Sequence, residues 1–183
     1  DNTVTVSTDV FLNKFVQIYP EYEGLKNQIA GDVEILRNDV VVAAVRAYFS
    51  ANGYQLALDF FNHSLTDNPA AATMSLTGNT AGMYGYVRGL LTKDAFLSKM
   101  VAFANKSGTE TLKDSSYAFE SGDLYWAIHG FTWTRTRAAT GTASFVIDDV
   151  YDFDPNSIPG AVAGSAGTHD FNIQIRGVVD NGV

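Results

Sequence analysis

The chain has 183 residues, enough for one domain or two small lobes. Twelve basic against twenty acidic residues give a formal charge of −8, which argues against a general nucleic-acid binder and against docking on an anionic membrane. There is no cysteine, which excludes disulfides, thiolate chemistry and cysteine-ligated metal centres.

Hydrophobic residues make up 46% of the chain and aromatics 13%, the composition of a folded core. No apolar run is long enough to predict a transmembrane helix. The sequence opens on Asp1 rather than Met, which reads as a mature form or an excised domain.

Residues 1–8 are polar and β-branched, a tail or linker. Thr8 or Asp9 can cap a helix from Val10 to Tyr19, with Val10, Phe11, Phe15 and Ile18 on one side. A second helix is expected from Glu21 to about Ile29, carrying Tyr22 and Leu25, and Gly31 should break it. Asp32 then opens a longer helix to Ser50, with an apolar stripe through Val33, Leu36, Val40, Val41, Ala44, Val45 and Tyr48. Asn52-Gly53 stops it, and Tyr54–Leu65 reads as another helix with Asp59 and His63 on one face.

Residues 69–91 carry glycines at 78, 82, 85 and 89. They read as a long loop or two short strands, a Gly-rich cover over a site. Thr92 caps a predicted helix from Lys93 to about Asn105.

Beyond residue 110 the hydrophobic period changes to two. Ser115–Glu120 is a candidate strand, followed by Asp123–His129 with Leu124, Trp126 and Ile128 on one side and Asp123, Tyr125 and His129 on the other. Phe131–Arg137 continues the ribbon. Thr140-Gly141 turns, and Thr142–Tyr151 returns antiparallel. Residues 154–167 form a small-residue loop, and Thr168–Val179 is the last strand. The expected fold is α+β: a helical lobe over 1–110, with the Gly-rich loop at 73–91, then an antiparallel β-sheet lobe over 111–183.

Asp148, Asp149, Asp152 and Asp154 crowd the exit of the Thr142–Tyr151 strand. Carboxylates repel one another and resist burial, so the cluster calls for a cation, a set of donors or full solvation. Asp149, Asp152 and Asp154 are candidate ligands for Ca²⁺ or Mg²⁺. His129 is a candidate general acid or base because its reference pKa lies near neutrality. His169, at the start of the last strand, is the alternative. Arg176 can hold a phosphate, and Asp123 and Tyr125 are expected to face the substrate beside His129.

Asp149-Val150-Tyr151-Asp152, with His169 downstream, resembles the Asp-x-Tyr-Asp signature of the colicin M group. In that family a His-Arg pair follows within a few residues. Here the histidine lies much further on and is followed by Asp170. The helical half followed by a β half is also similar to the lipid II-degrading domains of LXG effectors. The resemblance implies a secreted bacterial toxin that hydrolyses the lipid-linked pyrophosphate precursor of peptidoglycan with a divalent metal. It implies catalytic roles for Asp149, Tyr151 and Asp152, with the histidine as acid, and a cognate immunity protein as partner. Two other readings stay open. One is a noncatalytic secreted or surface binding domain with a structural Ca²⁺. The other is a glycoside hydrolase pairing Asp123 with Asp149 or Asp152.

Overall fold

The computed structural model describes residues 8–159 and 166–180. The fold is α+β. The chain separates into two compact units, one formed by residues 1–45 and 155–167, the other by 46–154 and 168–183. The division therefore does not fall near residue 110.

In the first unit, α1 (Thr8–Ile18) leads through a 3-10 turn (Pro20–Leu25) into α2 (Lys26–Ala51), whose last residues belong to the second unit. The break expected at Gly31 is absent; the helix runs straight through it. A glycine inside a helix costs about 1 kcal/mol, too little to stop one supported on both sides. Val41 and Val45 are buried as the stripe predicts, while Val40 is half exposed. The side chains of Asp9, Phe11, Ile29, Val33 and Leu36, the tail at 1–7 and the loop at 160–165 lie outside the described residues.

The second unit is built on a five-stranded sheet in the order β1-β5-β4-β3-β2. Its strands are β1 (Ala72–Ser75), β2 (Glu110–Asp114), β3 (Thr132–Ala139), β4 (Thr142–Val150) and β5 (Asn172–Asp180). The β2-β3-β4-β5 ladder is antiparallel, as the period of two implies, with Gly141 at φ 97° in the β3–β4 turn. β1 comes from the helical half and pairs parallel with β5, so the sheet is mixed.

One face of β4 and β5 is apolar and packs on α5 (Ala95–Ala104): Phe145, Ile147, Ile173 and Ile175 are buried, and the Phe96 ring meets Phe145 at 5.0 Å. Arg137, buried at the end of β3, donates to Phe103 O and Gly108 O, both at 2.6 Å. It thereby satisfies the Phe103 carbonyl in the last turn of α5 and the Gly108 carbonyl in the loop beyond. Asp94, not Thr92, caps α5 by accepting from Phe96 N at 2.9 Å.

Two segments differ from expectation. Residues 82–93 form a regular helix, α4 (Gly82–Lys93), with Val87 and Leu91 buried. One of the glycines that suggested a loop, Gly85, has a packing reason. A Cβ on Gly85 would stand 2.2 Å from the Thr80 carbonyl oxygen. Gly85→Ala is expected to lower stability by about 2 kcal/mol or more in urea unfolding, although alanine is the better helix former.

The second difference is Asp123–His129. Most of it is a short helix, α6 (Gly122–Ala127), not a strand, and 115–120 contributes only one bridge, Ala118 to Gly130. Leu124 and Ile128 satisfy a spacing of four as well as of two, so the pattern alone was ambiguous. No helix among the described residues is long and apolar enough to cross a membrane.

Candidate functional site

The buried face of β4 reads Ala143, Phe145, Ile147, then Asp149. An aspartate therefore takes the last inward position of an apolar row. β3 begins opposite Asp148, at Thr132, so Asp149 sits just past the end of that pairing, while β5 still covers it through Ile173. Burial is the main reason its carboxyl is pushed up from 3.8 to about 7. The Val150 amide and His129 oppose the shift, and the neighbouring Asp152 charge adds to it.

Asp149 and Asp152 border an open groove of about 910 Å³ at the exit of β4; His129 stands beside it, next to the lining residue Gly130. Asp148, Asp149 and Asp152 line it, together with Lys113, Ser115, Thr132 and Gln174. On the polar face, one row crosses the sheet: Thr73 lies opposite Gln174, Gln174 opposite Asp148, and Asp148 opposite Thr132. Gln174 Nε2 donates to Asp148 Oδ1 at 2.9 Å, and Thr132 bonds Ser115 at 2.9 Å between hydroxyls. Asp148 is thus a held carboxylate, and Asp152 is exposed to solvent.

His129 follows α6 with φ 58°, the left-handed conformation usually left to glycine at a helix end. Its backbone N–H closes the helix on Leu124 O at 3.0 Å. Its Nδ1 lies 3.0 Å from Phe119 O. A carbonyl only accepts, so Nδ1 carries the hydrogen and Nε2 is the acceptor nitrogen of the neutral ring. Tyr125 packs edge-on against the ring at 4.7 Å. The two expected neighbours do meet, one helical turn apart rather than across a strand face.

The remaining sequence candidates lie elsewhere. Asp123 is buried and accepts from Leu56 N at 2.9 Å and Ala57 N at 2.7 Å, capping α3 (Gln55–Ser64); it does not face the groove. Its pairing with Asp149 or Asp152 as glycosidase carboxyls therefore fails. His169 is tied to the end of α3: its N–H bonds Ser64 O at 2.7 Å and its Nε2 stands 3.9 Å from Asp67. Arg176 donates to Gln174 and does not line the groove. Among the described residues, the cation lining the groove is Lys113, from β2. Sequence reasoning missed it because Lys113 reaches the groove only through the pairing of β2 with β3.

Tyr151 is buried and stacked on Phe171 at 4.8 Å. Burial pushes its phenol well up. Ser64 is its polar neighbour, but that hydroxyl is given to Phe61 O at 2.6 Å, and Tyr151 Oη is left without a hydrogen bond of good geometry. Tyr151→Phe is expected to change stability by less than about 1 kcal/mol in urea unfolding, and to leave turnover intact. A loss of activity would return the phenol to the chemistry.

Asp154 is exposed at the chain's exit from the sheet. Among the described residues, no three His, Asp or Glu side chains converge as a cation cage. A carboxyl held near neutrality, as Asp149 is, is also a weak ligand until it ionises. The Asp149, Asp152 and Asp154 set thus does not fit a metal held by protein alone. No family model matches the chain, and no curated protein or solved structure matches it either.

Proposed function

We propose that the groove at the exit of β4 is a hydrolytic site in which Asp149 is the general acid and His129 the general base. The observation that carries this reading is the inward Asp149 carboxyl, held near pH 7 by burial and bordered by Asp152 and His129. A catalytic group works best when its pKa lies near the working pH. Protonated Asp149 gives its proton to the leaving oxygen. His129 Nε2 takes one from the attacking water. The proton then returns from His129 to Asp149, which restores both groups. Lys113 supplies positive charge for an anionic substrate in an otherwise acidic groove.

The substrate favoured is the one implied by Asp149-Val150-Tyr151-Asp152: a lipid-linked pyrophosphate precursor of the bacterial cell wall, attacked by an exported toxin. A divalent cation would then be shared between carboxylates and substrate phosphates. The test is incubation of the purified chain with lipid II, with Ca²⁺ or Mg²⁺ and with chelator, following release of the lipid by chromatography. Cleavage by the wild type and its loss in Asp149→Asn is the expected result. Lipid II left intact under every condition overturns the substrate assignment.

A noncatalytic reading draws on Asp148, which Gln174 holds in a fixed place as a binding platform would. Retention of ligand binding without turnover would favour it.

A further inference from the structure

A second recess, of about 580 Å³, lies between α3 and β1. It shares Ala71 and Thr73 with the groove at Asp149, so the two are neighbours across β1. Sheet pairing sets the distance between them. Asp149 lies opposite Ile173, and Ile173 opposite Ala72, which lines the recess. Two strand spacings separate Asp149 from Ala72, roughly 10 Å. That is the reach of a substrate about one disaccharide long.

The lining points to the chemistry of what sits there. Phe60, Met74 and Ile175 form an apolar floor, and Asp59, Asn62 and His63 form the polar part. Arg46 Nε donates to Asn62 Oδ1 at 2.8 Å, which turns the amide so that Nδ2 is its remaining donor. His63 Nε2 lies 2.7 Å from Ala70 O, so it carries the hydrogen, and Nδ1 is the acceptor of the neutral ring. The Asp59 carboxylate adds two acceptor oxygens. Among the described residues no lysine or arginine lines the recess, and Asp59 puts a carboxylate there, so a phosphate or carboxylate ligand is disfavoured. Donors and acceptors side by side over an apolar floor suit a neutral ligand with hydroxyls on its rim and C–H groups on its face.

We infer that this recess is a saccharide subsite, which binds a neutral sugar of the substrate whose labile bond lies at Asp149. The inference rests on the hydrolytic reading for its biological use, but not for its binding test. In that test, ¹⁵N-labelled full-length chain is titrated with chitotriose and followed by amide chemical shifts. Saturable shifts are expected at Asp59, Asn62, His63 and Thr73. The Asp59→Ala/Asn62→Ala double variant should weaken binding about tenfold or more, through two lost hydrogen bonds. Its thermal melt reports whether it folds. If it does not, the wild-type shift map decides alone. Shifts confined to other surfaces, or no saturable shifts, overturn the subsite, as does undiminished binding by a folded double variant. The lipid II assay of Asp149→Asn reads the reaction and not the recess, so failure of the hydrolytic reading and failure of the subsite are seen separately.

Discussion

Asp149→Asn is expected to lower turnover of the cleaved substrate by about 10²–10⁴-fold, the range for loss of a positioned general acid. The substitution keeps the shape of the side chain and removes its titration. In the wild type, activity should fall as pH rises through about 7, where Asp149 loses its proton. Residual activity of the asparagine variant should lack that limb.

Stability carries the same signature with a defined sign. The folded-state pKa lies above the unfolded value of 3.8, so the folded chain binds this proton more tightly. Below about pH 4 the group is protonated in both states and contributes no pH dependence. Between about 4 and 7 the wild type loses stability as pH rises, and above 7 the loss is complete. Asp149 is only partly buried, so solvent screening reduces the effect to about 1–2 kcal/mol. Asp149→Asn should therefore be more stable than wild type above pH 7, by that amount, relative to the difference between them at pH 4. A variant that loses activity while gaining stability places the buried carboxyl in function rather than in folding. Equal stability differences at both pH values, with full turnover, would remove Asp149 from the site.

What could be read from the sequence depended on how local the signal was. β4 and β5 were legible because apolar and polar residues alternate along them, and a glycine marks the β3–β4 turn. That Asp149 takes the inward side of this alternation became visible only in the structure. β1 was not legible as part of the sheet: four residues carry little pattern, and their partner Ile173 lies a hundred residues downstream. α4 was hidden because Gly85 answers to the Thr80 carbonyl and not to helix propensity. α6 was misread because a six-residue helix rich in aromatics satisfies both periods. In the site, the acidic cluster and His129 were visible as residue types. Lys113, Ser115 and Gln174 were not, because nothing local distinguishes a groove-lining side chain from any other outward residue of a strand.

Asp123 shows how far a carboxylate's role can lie from its residue type. Asp123→Ala is expected to destabilise the chain by about 3 kcal/mol or more in urea unfolding. Helix caps alone contribute about 1–2 kcal/mol, and the buried donors left behind add to that. Here one carboxylate meets both Leu56 N and Ala57 N at the positive end of α3, and the Tyr86 hydroxyl donates to the same group. Burial first, and then Asp123, push the Tyr86 phenol up to about 12, so it remains a donor at any working pH. Asp123→Asn should cost less, since its one oxygen can still accept while its NH₂ faces a donor. Tyr86→Phe should cost about 1 kcal/mol, because Asp123 keeps its two backbone partners. The carboxylate also joins α3 to α6, and His129 lies two residues beyond the end of α6. Under native conditions the folded Asp123→Ala fraction should retain the pH limb of turnover near 7. Unchanged stability with lost turnover would instead return Asp123 to the substrate-facing role that its residue type first suggested.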